Sequence, residues 1–256
     1  MGNPPSRIHR EETGPLDAPL VVLVHGSLDR SAGMARLARR LADRWRVVRY
    51  DRRGYGRSWP HAGPFGVGGQ VEDLLEVLDG RTAVIVGHSY GGHVALAAAQ
   101  VSPAQVTAVS VYETPLSWME WWPSGTAGGR AASSTEDDAA EQFMRRLIGD
   151  EGWENLPERT RAERRREGAA LRGELSALRV AAPWDAASIR CPVVCAHGSV
   201  GSPHHARAME WLSSAVPDGQ LAVLHGAAHG AHNSHAPAFA EGLVDVHYGR
   251  AGTSTS

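Results

Sequence analysis

The stretch VIVGHSYGGHVALAAA, residues 84–99, joins two apolar runs through a short glycine-rich turn. The first run is rich in β-branched residues, which is typical of a buried strand, and the second is rich in alanine, which favours a helix. Between them, Gly87, Ser89 and Gly91 follow the pattern Gly-x-Ser-x-Gly. A sharp strand-to-helix turn of this kind strains the serine backbone and exposes its Oγ beside the free N–H groups of the helix. The stretch therefore predicts a nucleophilic Ser89, and the alternative is a tight turn with a serine N-cap.

Segments typical of strands and helices alternate on both sides of this stretch. The near-continuous apolar run LVVLVHG (20–26) is typical of a strand that is covered on both faces. Three further segments are typical of strands: WRVVRYD (45–51), TAVIVGHS (82–89) and QVTAVSVYE (105–113). Amphipathic segments such as MARLARRLADRW (34–45) lie between them. The series predicts an α/β fold, with a mostly parallel twisted sheet and helices on both faces.

The alternation breaks between residues 115 and 187, where no strand pattern is found. Because this region is inserted between two strands of the predicted sheet, we expect a helical lid over their carboxyl ends. The predicted organisation is a core α/β domain in two parts, 1–114 and 188–248, with a helical lid at 115–187 and a disordered tail at 249–256. The lid segment RAERRRE (161–167) is expected to be a solvated face.

Composition narrows the possible classes of function. The chain has 256 residues, of which 42% are hydrophobic, and a net charge of −2, so it has enough apolar residues for a core but no basic footprint for nucleic acid. No apolar run approaches the roughly 20 residues of a membrane helix, and the polar start MGNPPSRIHREE does not resemble a secretory signal. We expect a cytoplasmic protein whose partner is a small molecule rather than nucleic acid or a membrane. A monomer and a homodimer are both open.

The two cysteines, Cys191 and Cys195, lie four positions apart in IRCPVVCAHG, which is typical of a strand. At roughly 3.3 Å per residue they are about 13 Å apart, too far for one disulfide. They are expected to act as small buried hydrophobic residues.

Five stretches, taken in order, resemble the α/β-hydrolase fold superfamily: VVLVHGS, RYDRRGYGRS, VIVGHSYGG, CPVVCAHGS and LHGAAHGAH. They cover nearly the whole chain outside the predicted lid. The resemblance implies an α/β-hydrolase fold and a Ser–acid–His triad in that chain order, with Ser89 as the nucleophile. Serine at this position argues against haloalkane dehalogenase or epoxide hydrolase chemistry, because relatives with those activities carry aspartate there.

The resemblance also implies that the catalytic base follows the last core strand, shortly before a proline that opens the final helix. In HGAAHGAHNSHAP this position is His229, with Pro237 opening the helix, and His232 is the main rival. Because His225 and His235 lie in the same loop, a metal site is an alternative. The Gly/Ala composition of the loop and its lack of Cys or Asp argue against one, so we expect neither a metal nor a cofactor.

The acid departs from the commonest pattern of the family. Most relatives carry it after the strand that follows the lid, but the corresponding loop here, AHGSVGSPHH, contains no carboxylate. A triad needs an anion to orient the imidazole. The alternative position in the family is the end of the strand after the elbow helix, which here is Glu113, 24 residues (113 − 89) beyond Ser89. We therefore predict Glu113 as the acid, with Asp185 and Asp218 as weaker alternatives.

The end of the first long strand, His25-Gly26-Ser27, is expected at the same carboxyl edge of the sheet as Ser89. The backbone N–H groups of Ser27 and Tyr90 are predicted to form an oxyanion hole. A plain turn with a buried, hydrogen-bonded His25 is the alternative.

Four tryptophans lie at the two ends of the predicted lid: Trp118, Trp121, Trp122 and Trp184. Together with His25 they are candidates for lining an apolar or aromatic substrate pocket. The alternative is that they anchor the lid.

The charged loop RYDRRGYGRS has a structural interpretation. Asp51, Arg52 and Arg53 are expected to brace the loop by internal ion pairs and hydrogen bonds rather than to act on a substrate.

These features together predict a serine hydrolase that cleaves an ester or lactone of a small, apolar or aromatic substrate through an acyl-enzyme. C–C bond hydrolysis, thioester hydrolysis and perhydrolase activity are alternatives on the same site. A non-catalytic ligand receptor and a cofactor-free oxygenase are alternatives from other classes, since a fold does not determine a function.

Overall fold

The computed structural model describes residues 8–248. The predicted tail, 249–256, and the first seven residues of the predicted core domain lie outside the described residues. Within the described part, one sheet has the strand order β1-β3-β2-β4-β5-β6-β7. Its strands are β1 (Arg10–Thr13), β2 (Leu20–Val24), β3 (Arg46–Tyr50), β4 (Ala83–His88), β5 (Val106–Tyr112), β6 (Val193–Gly198) and β7 (Gly219–Leu224).

The pairing of the strands confirms the predicted mostly parallel sheet. All neighbours from β3 to β7 run parallel, and only β1 pairs antiparallel, with β3. The strand β1 was not predicted, because its sequence REET carries no apolar alternation and lies at an exposed edge. The predicted strand over IRCPVVCAHG is shorter than expected and begins only at Val193, so Cys191 precedes it; both cysteines are free.

Helices cover both faces of this sheet. They are α1 (Ala35–Leu41), α2 (Val67–Leu78), α3 (Gly91–Val101), α4 (Ala127–Ser133), α5 (Glu136–Glu154), α6 (Glu158–Arg165), α7 (Gly168–Ala177), α8 (Pro203–Ala215), α9 (Ala231–Ser234) and α10 (Ala236–Phe239). Short 3₁₀ turns occur at Ser31–Met34, Gly56–Ser58, Ala186–Ser188 and Asp245–His247. The single final helix expected after Pro237 is instead α10, a π turn at Ala240–Val244 and a 3₁₀ turn.

The core has two layers because successive strand residues point to opposite faces. On β2, Val22 and Val24 pack into one layer with residues of α2, α3 and α7, whereas Val21 and Leu23 pack into the other with residues of α1 and α10. The strand ends therefore meet at a common carboxyl edge between two closed layers. In the described residues no helix has both the length and the apolar character needed to cross a membrane.

Helices α4 to α7 lie between β5 and β6 along the chain, and the described residues contain no strand there. The expectation that RAERRRE is a solvated face is wrong in part. Glu167 is fully buried, where its Oε1 accepts hydrogen bonds from Arg30 and from the Gly56 N–H. Arg164 donates to the Leu28 carbonyl. Burial of this carboxylate is tolerated because two donors bind Oε1 and the Arg164 guanidinium lies 3.6 Å from Oε2.

Candidate active site

Ser89 occupies the turn between β4 and α3 in a left-handed conformation, with φ of +52°. Its N–H donates to the Tyr112 carbonyl at 2.8 Å, and its own carbonyl accepts from the Gly92 N–H at 3.0 Å. A side chain at Gly91 would collide with the Val24 carbonyl, so the helix reaches the sheet only because glycine stands there. The side chain of Ser89 remains partly exposed.

Three of the strand ends at this edge carry a non-glycine residue in the left-handed region. Leu28 follows β2, Ser89 follows β4 and Glu113 follows β5, with φ values of +52°, +52° and +49°. Each such residue costs of order 1–3 kcal/mol and persists where the surrounding structure holds it. Such backbone strain is concentrated at functional sites, and these three strained residues all lie at the carboxyl edge of the sheet.

Glu113 is fully buried at the end of β5. Its Oε2 accepts a hydrogen bond from His229 Nδ1 at 2.7 Å, and its Oε1 accepts one from the Gly198 N–H at 3.0 Å. His205 Nδ1 lies 3.0 Å from the same Oε2. Burial by itself would raise the pKa of the Glu113 carboxyl, but the contacts with His205 and His229 outweigh it and hold that pKa well below its usual range. The carboxylate is therefore ionised at neutral pH.

The loop that lacks the commoner acid lies directly over this carboxylate. A Cβ on Gly201, in that loop, would lie 2.6 Å from Glu113 Oε1. The missing side chain leaves the space that the Glu113 carboxylate fills. Asp185 and Asp218, the weaker alternatives, precede β6 and β7 and so lie toward the opposite, amino end of the strands.

His229 follows β7, and its side chain is 37% exposed. With Nδ1 donating to Glu113, its Nε2 carries the free lone pair that a general base needs. Its ring stacks on His205, with centroids 4.9 Å apart, and contacts His88 at 4.7 Å. Among residues 8–248 no hydrogen bond joins His229 to Ser89 Oγ. Such bonds are often long without substrate and tighten when it binds.

His232, the rival base, has a different environment. It is buried, its Nε2 lies 3.7 Å from Asp29 Oδ2, and its ring contacts His88 at 4.2 Å. Burial and the nearby His229 lower the pKa of His232 to about 4. His88 is also buried, and desolvation, together with His232 and His229, holds its pKa well below the usual range. The structure thus pairs Glu113 with His229 and not with His232.

The loop after β2 lies directly against Ser89, since a Cβ on Gly26 would be 3.0 Å from the Ser89 Cβ. Within the described part of the chain, the N–H groups of Ser27 and Tyr90 have no protein acceptor. The Ser27 hydroxyl points elsewhere and donates to Glu174 Oε1 at 2.6 Å. Any contribution of Ser27 to an oxyanion hole would therefore come from its backbone.

A buried ion pair between the loop after β3 and helix α7 supports the loop after β2. Arg52 Nη1 donates to Glu174 Oε2 of α7 at 2.7 Å, and both side chains are fully buried. Arg52 also donates to the carbonyls of His25 and Gly26, while Tyr55 donates to Glu174. The His25 ring is buried beside this ion pair, where its Nε2 accepts a hydrogen bond from the Arg52 N–H.

The expected internal ion pairs of RYDRRGYGRS are wrong for both arginines. Arg52 pairs with α7, and Arg53 pairs with Asp73 of α2 through two hydrogen bonds of 2.6 and 2.8 Å. Asp51 does bind within the loop, at the Arg57 N–H, and also accepts from the Ser31 N–H. Short-range reasoning could not name Glu174, because nothing near it in the sequence marks it as a partner.

The four tryptophans form two separate groups. Trp118 and Trp184 contact each other and His93 of α3, and Trp184 Nε1 donates to His93 Nδ1 at 3.2 Å. Trp122 packs on His204 and His205, beside Glu113, while Trp121 lies under Arg207. Of the four tryptophans, Trp122 is the one that contacts the His205 ring, and His205 in turn contacts Glu113. His25 belongs to neither group.

Among residues 8–248, two sets of side chains have ligand atoms close enough for a metal ion, within 4.8 Å of one another in each set: Asp29, His88 and His232, and Glu113, His205 and His229. The second set contains the residues that would form the acid–base pair. The first set lies beside it and has no part in that pair.

Comparison with known proteins gives consistent matches. A family model described as the Alpha/beta hydrolase family matches residues 21–242. The pimeloyl-[acyl-carrier protein] methyl ester esterase of Chromobacterium violaceum is 29% identical over 245 residues, which are 89% of this chain and 93% of that protein. Lipase LipV of Mycobacterium tuberculosis is 34% identical over 105 residues, so the match covers only 40% of each protein.

The structural comparison points to the same fold. The enol-lactonase from Burkholderia xenovorans LB400 superposes with a TM-score of 0.71 at 22% identity, over 91% of this chain and 94% of that one. An identity this low supports a common fold and no common substrate.

Proposed function

Because this chain belongs to the alpha/beta hydrolase family, we propose that it is a serine hydrolase that cleaves an ester or lactone of a small, apolar or aromatic substrate. One observation carries the proposal. The buried Glu113 binds His229 Nδ1 at 2.7 Å, at the sheet edge where Ser89 occupies a strained turn. The similar proteins are an esterase, a lipase and an enol-lactonase, which supports the ester and lactone class.

In the proposed reaction, Ser89 Oγ attacks the carbonyl carbon while His229 Nε2 takes the hydroxyl proton. Glu113 holds Nδ1–H and stabilises the imidazolium that forms. The oxygen that becomes negative accepts hydrogen bonds from the N–H groups of Ser27 and Tyr90, which is the largest single source of stabilisation in reactions of this kind. The leaving alkoxide then takes the proton from His229, and an acyl-enzyme remains.

Water completes the cycle in the second half of the proposed reaction. It attacks the acyl-enzyme while His229 takes one of its protons, and the proton returns to Ser89 as the acid product leaves. No metal or cofactor takes part in any of these steps. Residues 115–187 would act as a helical lid over this edge, and Trp122 packs on the His205 ring that contacts Glu113.

The test is labelling with a fluorophosphonate probe, with the modified residue mapped by mass spectrometry. We expect one adduct per chain on Ser89, because only a serine activated by a base reacts readily, and no adduct in Ser89→Ala. Ser27→Ala is the matched control, since it keeps the backbone N–H and loses only the hydroxyl that binds Glu174. An adduct on Ser27, or none on the folded wild-type protein, would contradict the proposal. Turnover of a panel of small esters and lactones then defines the substrate.

A further inference from the structure

A cluster of three side chains beside Ser89 takes no part in the proposed reaction. Asp29 follows β2, His88 ends β4 and His232 lies in α9. One ligand atom of each lies within 4.8 Å of the others, and His232 Nε2 is 3.7 Å from Asp29 Oδ2. We propose that these three residues bind a divalent transition-metal ion of the zinc class.

The hydrogen bonds of His88 leave one of its nitrogens free for such an ion. His88 Nε2 lies 2.8 Å from the His229 carbonyl, which only accepts, so Nε2 carries the hydrogen and Nδ1 carries the lone pair. That Nδ1 is buried and has no hydrogen-bond partner among the described residues. Gly26 leaves room beside it, since a Cβ there would lie 3.1 Å from Nδ1. A buried, unpaired nitrogen is unfavourable unless something binds it.

Two of the three side chains, His88 and Asp29, have outer partners of the kind found around bound metals, whereas His232 Nδ1 has no hydrogen-bond partner among the described residues. Histidines that bind metals donate their other ring N–H to a carbonyl or carboxylate, as His88 does to His229. Asp29 Oδ1 accepts from the Arg30 N–H at 2.8 Å, which orients the carboxylate and leaves Oδ2 toward His232. The guanidinium of Arg30 is paired with Glu167, so its charge is compensated.

The ligand types indicate the class of metal. Zinc binds imidazole nitrogen and carboxylate oxygen at about 2.0–2.2 Å, which places neighbouring tetrahedral ligands roughly 3.3–3.5 Å apart. The 3.7 Å between His232 Nε2 and Asp29 Oδ2 is a few tenths of an ångström longer than this. The ligand atom of His88 lies within 4.8 Å of the other two, so binding an ion needs side-chain movements of up to about 1.5 Å. Calcium and magnesium prefer oxygen ligands alone, so two histidines argue against them.

The second possible set, Glu113, His205 and His229, is less suited to an ion. His229 Nδ1 already donates its hydrogen to Glu113 and would have to lose it before it could bind a metal. At His88 no such bond has to be broken. The geometry therefore favours the Asp29 cluster.

A metal at this position would anchor the loop that carries His229. His232 lies three residues beyond His229, in α9, and His88 Nε2 donates to the His229 carbonyl. An ion joining both to Asp29 would tie the loop to the ends of β2 and β4. Because it would bind only the folded chain, zinc would raise the melting temperature.

The experiment is a titration of the purified full chain with Zn²⁺ alone, after removal of metal with a chelator. Competition with a zinc-binding dye measures affinity and stoichiometry, and the melting temperature is recorded with and without Zn²⁺. We expect one equivalent bound and a higher melting temperature. In Asp29→Asn and His232→Gln we expect affinity to fall by more than about 100-fold, since even changes in the outer shell cost roughly 10–100-fold.

Two variants serve as controls, and circular dichroism shows which of the four variants fold. His205→Gln alters the second possible set, and His225→Gln removes an exposed histidine of the same loop. Both should bind zinc as the wild type does. The proposal is overturned if the wild type binds no zinc, if His205→Gln or His225→Gln abolishes binding, or if a folded Asp29→Asn or His232→Gln keeps wild-type affinity. If Asp29→Asn or His232→Gln does not fold, the other of these two variants is enough for the test.

Discussion

Glu113 and Glu174 are both fully buried carboxylates at the carboxyl edge of the sheet, and their partners differ in kind. Glu113 contacts two imidazoles, those of His229 and His205. Glu174 binds the guanidinium of Arg52 and the hydroxyls of Ser27 and Tyr55. An imidazole gains and loses protons at physiological pH, whereas a guanidinium keeps its charge.

The difference separates a group suited to chemistry from a group suited to support. The Glu113 environment keeps a carboxylate charged beside a ring with a free nitrogen, as a proton transfer requires. The Glu174 environment holds a permanent ion pair between α7 and the loop after β3, beneath Ser27. We therefore expect substitutions at the first site to reduce turnover and substitutions at the second to reduce stability.

The largest expected effect is that of Glu113→Gln on turnover. We expect kcat/KM for an ester substrate to fall by about 10⁴-fold, because the amide cannot stabilise the imidazolium or hold the correct tautomer. The measurement is steady-state kinetics beside a denaturation curve. Glu210→Gln, at an exposed carboxylate of α8, is the control and should leave turnover unchanged. Near-normal turnover in a folded Glu113→Gln protein would show that another group orients His229.

The next largest effect is that of Glu174→Gln on the free energy of unfolding. The change leaves the Arg52 charge buried without its partner, so we expect stability to fall by about 3–5 kcal/mol in urea denaturation. Glu163→Gln is the control, because Glu163 forms a partly exposed pair with Arg30 and should cost about 0–1 kcal/mol. Similar small losses in both variants would mean that the buried pair gives no more support than a surface pair.

The smallest expected effect is on the pH dependence of stability. It concerns His93, a buried histidine for which the described residues show no carboxylate partner. Burial lowers the pKa of His93 to about 3. In the unfolded chain this histidine takes up a proton near pH 6.5, and in the folded protein it does not. Its contribution to stability is therefore complete above pH 6.5 and is lost as the pH falls toward 3.

By pH 5 this loss amounts to about 2 kcal/mol, since one pKa unit corresponds to about 1.4 kcal/mol. In His93→Gln the difference in unfolding free energy between pH 7.5 and pH 5 should shrink by that amount. Urea denaturation at the two pH values gives the measurement, with His225→Gln as the exposed control. An unchanged pH dependence in His93→Gln would mean that this ring takes up its proton in the folded state.

Much of the architecture follows from local patterns. Apolar runs of strand length predict β2 to β5, and glycines flanking Ser89 predict the strained turn between β4 and α3, since both depend on backbone geometry within a few residues. Because AHGSVGSPHH contains no carboxylate, the sequence predicts Glu113 as the acid, and in the structure this residue accepts a hydrogen bond from His229. The polar edge strand β1 escaped prediction because it has no apolar alternation.

The partners of buried charges were decided only by the tertiary structure. Arg52 and Glu174 are 122 residues apart, and no local pattern connects an arginine in a loop to a glutamate in α7. In the same way, a histidine-rich loop without a carboxylate argued against a metal, yet the fold brings Asp29 from the end of β2 to His232. Periodicity and turn chemistry act over a few residues, so the sequence determined most of the elements and the strained turn at Ser89. Contacts between distant side chains depend on how whole elements pack, so only the folded chain determined which carboxylate meets an imidazole and which meets an arginine.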